Sequence, residues 1–205
     1  MPLVDGATPP TEQRARPRIG VLALQGDFVE HLAMLRRHHA DAVEVRTRVQ
    51  LDAVDGLVIP GGESTTIARL LIAFDLLGPL RERIHGGLPA WGTCAGAIML
   101  ATDVPGLDRE PIGVMDMTVE RNAFGTQVQS FEADLAVTGI EGPPLRAIFI
   151  RAPVITRTGP AVQTLASLPD GRVVAARQGR LLATSFHPEL TDDSRLHALF
   201  VQMCA

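Results

Sequence analysis

Over its first hundred residues the chain alternates short apolar runs, each stopped by glycine or proline, with stretches of helical periodicity. That alternation constrains the fold more than any other feature, because it is the pattern of a parallel α/β sheet. Strands are predicted at Arg18–Leu24, Val43–Thr47, Gly56–Ile59 and Leu88–Gly92. Between them lie helices from Asp27 to about His39, from Ser64 or Thr65 to about Phe74, around Pro79–His85, and over Cys94–Thr102. Asp27 with Glu30 three residues later has the spacing of a capping box. The second half changes character. Val114–Glu120, Val128–Val137, Arg146–Ile150, Val162–Leu168 and the pair Val173–Arg177 and Arg180–Ser185 read as strands, with a hairpin turn at Gln178-Gly179, and a helix from about Asp192 to Met203 closes the chain. The expectation is a three-layer α/β sandwich with a largely parallel central sheet and an antiparallel extension.

A chain of 205 residues is long enough for one domain with a full hydrophobic core, and 46% hydrophobic with 20% charged residues is an ordinary globular balance. A net charge of −4 argues against a nucleic-acid binder built on a broad basic face. No apolar run approaches the ~18–20 residues that span a bilayer, so no membrane association is expected. Residues 1–17 carry Pro2, Pro9, Pro10 and Pro17 and no signal-peptide core, and read as a disordered extension before a single domain over 18–205. Two cysteines in dissimilar contexts, Cys94 and Cys204, fit a reducing, cytoplasmic setting.

Three segments carry chemistry. Gly92-Thr93-Cys94-Ala95-Gly96 stands between a strand and a helix and has the form of a nucleophile elbow with cysteine as nucleophile. The helix that begins after it turns backbone N–H groups and a partial positive charge toward the sulfur, which favours a thiolate. A buried structural cysteine in a small-residue contact would leave the same local pattern. Phe186-His187-Pro188-Glu189 follows another strand. If this segment stays extended, His187 and Glu189 leave one face, and Glu189 can hold the imidazole while its other nitrogen serves a thiol. Pro60-Gly61-Gly62-Glu63-Ser64 lies at a further strand-to-helix junction, where adjacent glycines suit an oxyanion or anion site; a tight turn with a Ser/Thr cap is the plainer alternative. His31, His38, His39, His85 and His197 fall on predicted helices and read as ordinary core or surface residues. No metal, flavin or nucleotide cofactor is expected, since the remaining Cys and His residues lack ligand spacing.

Together these segments resemble the triad glutaminases, the class I glutamine amidotransferases of flavodoxin-like fold. GVLALQG at 20–26 with Glu30-His31, PGGESTT, WGTCAGAIML, ERNAFGTQVQSFE at 120–132, FIRAP at 149–153 and SFHPEL at 185–190 narrow the resemblance to the glutaminase subunits of pyridoxal 5′-phosphate synthase. It runs from about Arg18 to the C-terminus. It departs from the pattern at Thr126, where an arginine is expected.

The resemblance implies a Cys94–His187–Glu189 triad that hydrolyses L-glutamine to glutamate and ammonia, with backbone N–H groups of Gly62 and Ala95 as the oxyanion hole. It implies substrate binding through Gly62, Glu63, Ser64, Arg121, Ile150 and Arg151, with arginine suited to the α-carboxylate and Glu63 to the α-ammonium. It also implies a hetero-oligomer with a separate (β/α)₈-barrel synthase subunit that consumes the ammonia and whose docking completes the oxyanion hole. Gln25-Gly26, at the carboxyl end of the first strand, is placed at that junction. Another Cys-dependent α/β hydrolase, a different amidotransferase, and a regulatory subunit that has lost activity are the competing readings.

Overall fold

In the computed structural model, which describes residues 16–121 and 130–205, the first half of the chain alternates as its periodicity predicts. β1 (Arg18–Leu22) leads to α1 (Phe28–Arg37), β2 (Asp41–Val45), α2 (Arg48–Asp52), β3 (Gly56–Ile59), α3 (Ser64–Ala73), α4 (Leu77–His85), β4 (Ala90–Thr93) and α5 (Ala95–Leu100). The second half is strand-rich. It holds β5 (Ala101–Asp103), β6 (Met115–Glu120), β7 (Ser130–Leu135), β8 (Leu145–Ile150), β9 (Val154–Thr158), β10 (Gln163–Ser167), β11 (Val173–Gln178) and β12 (Leu181–Thr184), and α6 (Arg195–Cys204) closes it.

Ten strands make one sheet in the order β2, β1, β3, β4, β12, β11, β9, β6, β5, with β10 paired to β11 beside that path; β7 and β8 pair separately. Neighbours from β2 to β12 run parallel. From β12 through β11 and β9 to β6 they run antiparallel. β3, β4 and β12 are buried at every position, as strands covered on both faces must be. On one side Leu51, Ile67, Leu71, Leu80 and Met99 pack from the helices α2 to α5. On the other, Leu32 and Leu35 of α1 meet Leu196 and Phe200 of α6 over Trp91, Phe149 and Phe186. The expected three layers are present.

Register decides where the chemistry goes. Ile59 stands opposite Gly92, and Thr93 opposite Thr184. The residues that follow β3, β4 and β12 therefore leave the sheet together at one edge.

Several local expectations give way. Asp27 occupies the N-cap position of α1, but its side chain makes no capping bond. The second strand lies two residues earlier than its apolar run suggests, because Thr47 is taken as the N-cap of the unanticipated α2. There the Thr47 hydroxyl accepts from Gln50 N–H, and Gln50 Oε1 accepts from Thr47 N–H. α5 stops at Leu100, and Ala101–Asp103 turns extended to pair with β6. β9, also unanticipated, fills the place between β11 and β6. The hairpin turns at Gly179-Arg180, one residue later than predicted, with Gly179 supplying a φ of 58°. His38 and His39 lie past the end of α1, not within it, and His39 has a φ of 60°. The last helix starts at Arg195, not Asp192, because the Asp193 carboxylate is occupied by the backbone N–H and the guanidinium of Arg195. Residues 122–129, which hold Thr126, part of the ERNAFGTQVQSFE segment and the first two residues of the strand expected at Val128–Val137, lie outside the described residues, as does most of the expected 1–17 extension. Among the described residues no helix is long and apolar enough to cross a membrane.

Candidate active site

Cys94 sits at the end of β4 with φ 47° and ψ −108°, a left-handed conformation that costs a non-glycine residue of order 1–3 kcal/mol and persists only where its surroundings enforce it. Its N–H donates to the Thr184 carbonyl at 2.8 Å, so the strand pair holds the turn. Gly96 permits the tight entry into α5, since a Cβ there would collide with the Ile59 carbonyl. These are the mechanics of a nucleophile elbow, which aims the sulfur out over the sheet edge.

His187 arrives from β12, and its N–H is fixed to the Ile148 carbonyl at 2.8 Å. Its ring lies against Gly61 beside Cys94: a Cβ on Gly61 would meet both the imidazole and Cys94 Cβ. Nδ1 of the ring and Glu189 Oε1 are 2.7 Å apart. The route to that contact differs from the extended one predicted. Pro188–Leu190 forms a single 3₁₀ turn, and the turn, not a shared strand face, brings Glu189 back under the imidazole.

Burial alone would disfavour a charged His187, but hydrogen bonds to Cys94 and Glu189 and the charges on both outweigh it, and its pKa rises to about 10. An imidazolium therefore stands beside the sulfur. Burial pushes the Glu189 carboxyl up, partly offset by its bond to His187.

Cys94 and His187 open into a cleft of about 350 Å³, lined among others by Gly62, Glu63, Ser64, Ala95, Arg121, Ile150 and Arg151. That is every residue expected to bind substrate or oxyanion, and the volume suits a small metabolite, within the ~300–1,000 Å³ of known ligand sites. Arg121 Nη1 is buried with no hydrogen-bond partner among the described residues. Arg151 is held at φ 44°. Glu63 caps α3, accepting from Thr66 N–H at 2.9 Å and from the Thr65 hydroxyl. Those bonds and the Arg121 charge outweigh a burial effect that opposes them, and they hold its carboxyl below the usual range. The cap of this helix is thus Glu63, not a serine or threonine.

The structure also adds residues to the site. Gln25 and Asp27 line the cleft. Gln25 Oε1 accepts the Glu63 N–H at 2.8 Å and its amide lies against Gly62. Asp27 Oδ2 is 3.6 Å from His187 Nδ1, which explains why it caps nothing. His31, read as an ordinary core histidine, lies 3.3 Å from Glu189 Oε2. Its signals were the Glu30-His31 pair of the resemblance and its inward place on the α1 stripe beside Phe28, Leu32 and Leu35. Ligand atoms of Asp27, His187 and Glu189 lie within 4.8 Å of one another, but two of them are already spent on the His187–Glu189 bond.

A sequence profile of the SNO glutamine amidotransferase family matches residues 21–205. A protein of Acidothermus cellulolyticus named pyridoxal 5′-phosphate synthase subunit PdxT is 60% identical over 198 residues, 93% of this chain and 95% of its own. The protein of the same name from Nocardia farcinica is 56% identical over 205 residues, 96% and 90% of the two chains. A crystal structure of a glutamine amidotransferase superposes with a TM-score of 0.86 at 48% identity, over 91% of this chain and 98% of the other.

Proposed function

The chain belongs to the SNO glutamine amidotransferase family, and from that premise we propose that Cys94, His187 and Glu189 carry out its glutaminase reaction. The chain is the glutaminase subunit of a pyridoxal 5′-phosphate synthase: it releases ammonia from L-glutamine for the synthase subunit. What carries the residue assignment is the contact between His187 Nδ1 and Glu189 Oε1 at 2.7 Å, behind a cysteine strained into an elbow in the same cleft.

The Cys94 thiolate attacks the side-chain amide carbon of glutamine, and the carbonyl π pair moves to oxygen. The N–H groups of Gly62 and Ala95 take that oxyanion; one such donor is typically worth about 2.7–4 kcal/mol. His187, held by Glu189, gives its proton to the departing ammonia as the C–N bond breaks. The imidazole then removes a proton from water, hydroxide attacks the thioester, and glutamate leaves as the thiolate reforms. Arg121, whose buried Nη1 has no partner among the described residues, pairs with the α-carboxylate. The ionised Glu63 faces the α-ammonium, and the Ile150 and Arg151 backbone closes the cleft.

Released ammonia is mostly protonated in neutral water, so the consumer must sit at the cleft. We assign that place to a (β/α)₈-barrel synthase subunit, with Gln25, already bonded to the Glu63 N–H, as the residue through which docking reaches the oxyanion hole. The test is ammonia release from glutamine by this chain alone and with its cognate synthase, with Cys94→Ala as control. Activity that rises with the synthase and vanishes in the variant is expected. Activity that survives Cys94→Ala would overturn the triad; activity indifferent to the synthase would overturn the docking role.

A further inference from the structure

Behind the triad lies a second buried polar layer that the hydrolysis scheme does not use. His31 of α1 and His197 of α6 are both fully buried. Nδ1 of His31 and Nε2 of His197 are 3.0 Å apart. The other nitrogen of His31, Nε2, stands 3.1 Å from the Thr93 hydroxyl and 3.3 Å from Glu189 Oε2. That oxygen is the one His187 leaves over: Oε1 is bonded to the His187 ring, while Oε2 is buried and has no hydrogen bond among the described residues. An ionised carboxylate oxygen in that position needs a donor, and His31 Nε2 faces it.

Whether His31 supplies one depends on its tautomer. Burial pushes the His31 imidazole well below its ordinary range, with the charges of His197 and His187 adding to the effect. Burial likewise lowers His197 to about 3, helped by His38 and Arg37. Both rings are therefore neutral and carry one N–H each. With the His31 proton on Nδ1, that N–H would donate to His197 Nε2 and force the His197 proton onto Nδ1, a buried atom with no acceptor among the described residues. A bare His31 lone pair would then face the Glu189 oxygen. With the proton on His31 Nε2, the N–H is shared between Thr93 and Glu189. His197 Nε2–H then donates to His31 Nδ1, and only a lone pair goes unmatched. The second arrangement strands no buried N–H and sets no lone pair against the carboxylate.

We infer that His31 is a positioning residue of the triad: its Nε2–H holds Glu189 from the side opposite His187, in a tautomer that His197 fixes. This rests on the assignment of Glu189 to the triad. The titratable groups facing Glu189 are then His187 and Asp27 on the cleft side and His31 on the inner side, with His197 behind it. Removing the His31 donor disfavours the ionised carboxylate and loosens its hold on the imidazole. The glutamine contacts are left alone.

The experiment compares wild type, His31→Leu and His31→Gln, each with the cognate synthase, and runs Cys94→Ala and Glu189→Gln alongside. Expected for His31→Leu is a kcat lower by about tenfold or more, a glutamine KM within about twofold, and an acid limb of kcat/KM moved to higher pH. His31→Gln, which keeps an N–H donor, should recover part of the kcat. Wild-type kcat in a folded His31→Leu, or a raised KM with kcat intact, overturns the inference. If Glu189→Gln and Cys94→Ala are also fully active, the triad itself has failed. If those two are inactive while His31→Leu is normal, only the positioning role has.

Should His31→Leu not fold, nitrogen-15 imidazole spectra of the wild-type protein decide the matter, with the His31 signal identified by its loss in His31→Gln. A neutral Nε2–H tautomer between about pH 6 and 9 is expected. A Nδ1–H tautomer or a protonated ring overturns the inference.

Discussion

Two neutral histidines locked inside a core draw stability away as pH falls, and His197 gives the size of that contribution. Its folded pKa lies near 3 against an ordinary 6.5. Below about pH 6.5 the unfolded chain takes up a proton that the native state refuses, so the stability this group contributes is fully present above that pH and drains as pH falls toward 3. The loss from about pH 7.5 to 5.5 is about 1.4 kcal/mol, set almost wholly by the unfolded pKa because the folded one lies so far below. His31 acts in the same direction. Glu189 and His187 act in the opposite one, since each has a raised pKa and takes up its proton in the fold before it would in the unfolded chain. The clean quantity is therefore a difference between two proteins. His197→Gln keeps an amide donor for His31 and does not titrate, while Glu189 and His187 contribute about equally to both chains and cancel.

The assay is urea unfolding at fixed ionic strength across that pH interval. Wild type should lose about 1.4 kcal/mol more than His197→Gln, which in a domain of this size corresponds to roughly 3–6 °C in Tm. The baseline at high pH is free to differ, because only the slopes carry the argument. Parallel slopes would refute it: His197 would then titrate in the fold as it does unfolded, and the neutral, buried histidine pair would be wrong.

Other substitutions test the cleft and its frame. Arg121→Ala should raise the glutamine KM by about 10- to 100-fold while leaving kcat nearly intact, because a charged hydrogen bond worth about 1.5–3 kcal/mol is lost from binding; initial rates with the synthase present measure it, and an unchanged KM removes Arg121 from the substrate site. Glu189→Gln should lower kcat by about 10²–10⁴ with glutamine affinity retained, since it disorders the base and spares the substrate contacts; single-turnover rates separate the two. Gly96→Ala should cost about 3 kcal/mol or more, its Cβ meeting the Ile59 carbonyl where the backbone cannot yield; a loss under about 1 kcal/mol by urea unfolding would show that the elbow has room to relax.

What was readable in the residues, and what was not, divides along a physical line. A nucleophile turned out of a strand at φ 47° tolerates only small neighbours, so GTCAG announces itself. Strand ends are punctuated by glycine and proline, so PGG and HPE stand out too, and parallel register then delivers all three to one edge. HPE was legible even though its geometry was misjudged, because the two-residue spacing serves a 3₁₀ turn as well as a strand. The misses at Thr47 and Asp27 share one cause. Both are side chains with two possible employers, and local pattern could not say that Thr47 caps a helix while Asp27 turns toward His187. His31 shows the limit most clearly. Helical spacing puts it on the inward face of α1, where a histidine looks like filler. Its partners are Thr93, Glu189 and His197, brought in by β4, the turn after β12, and α6. No periodicity within one element can reveal a contact that exists only where four elements converge. Residues that touch the substrate sit at chain punctuation and can be read in line; residues that hold them from behind are specified by packing, and appear only once the layers are assembled.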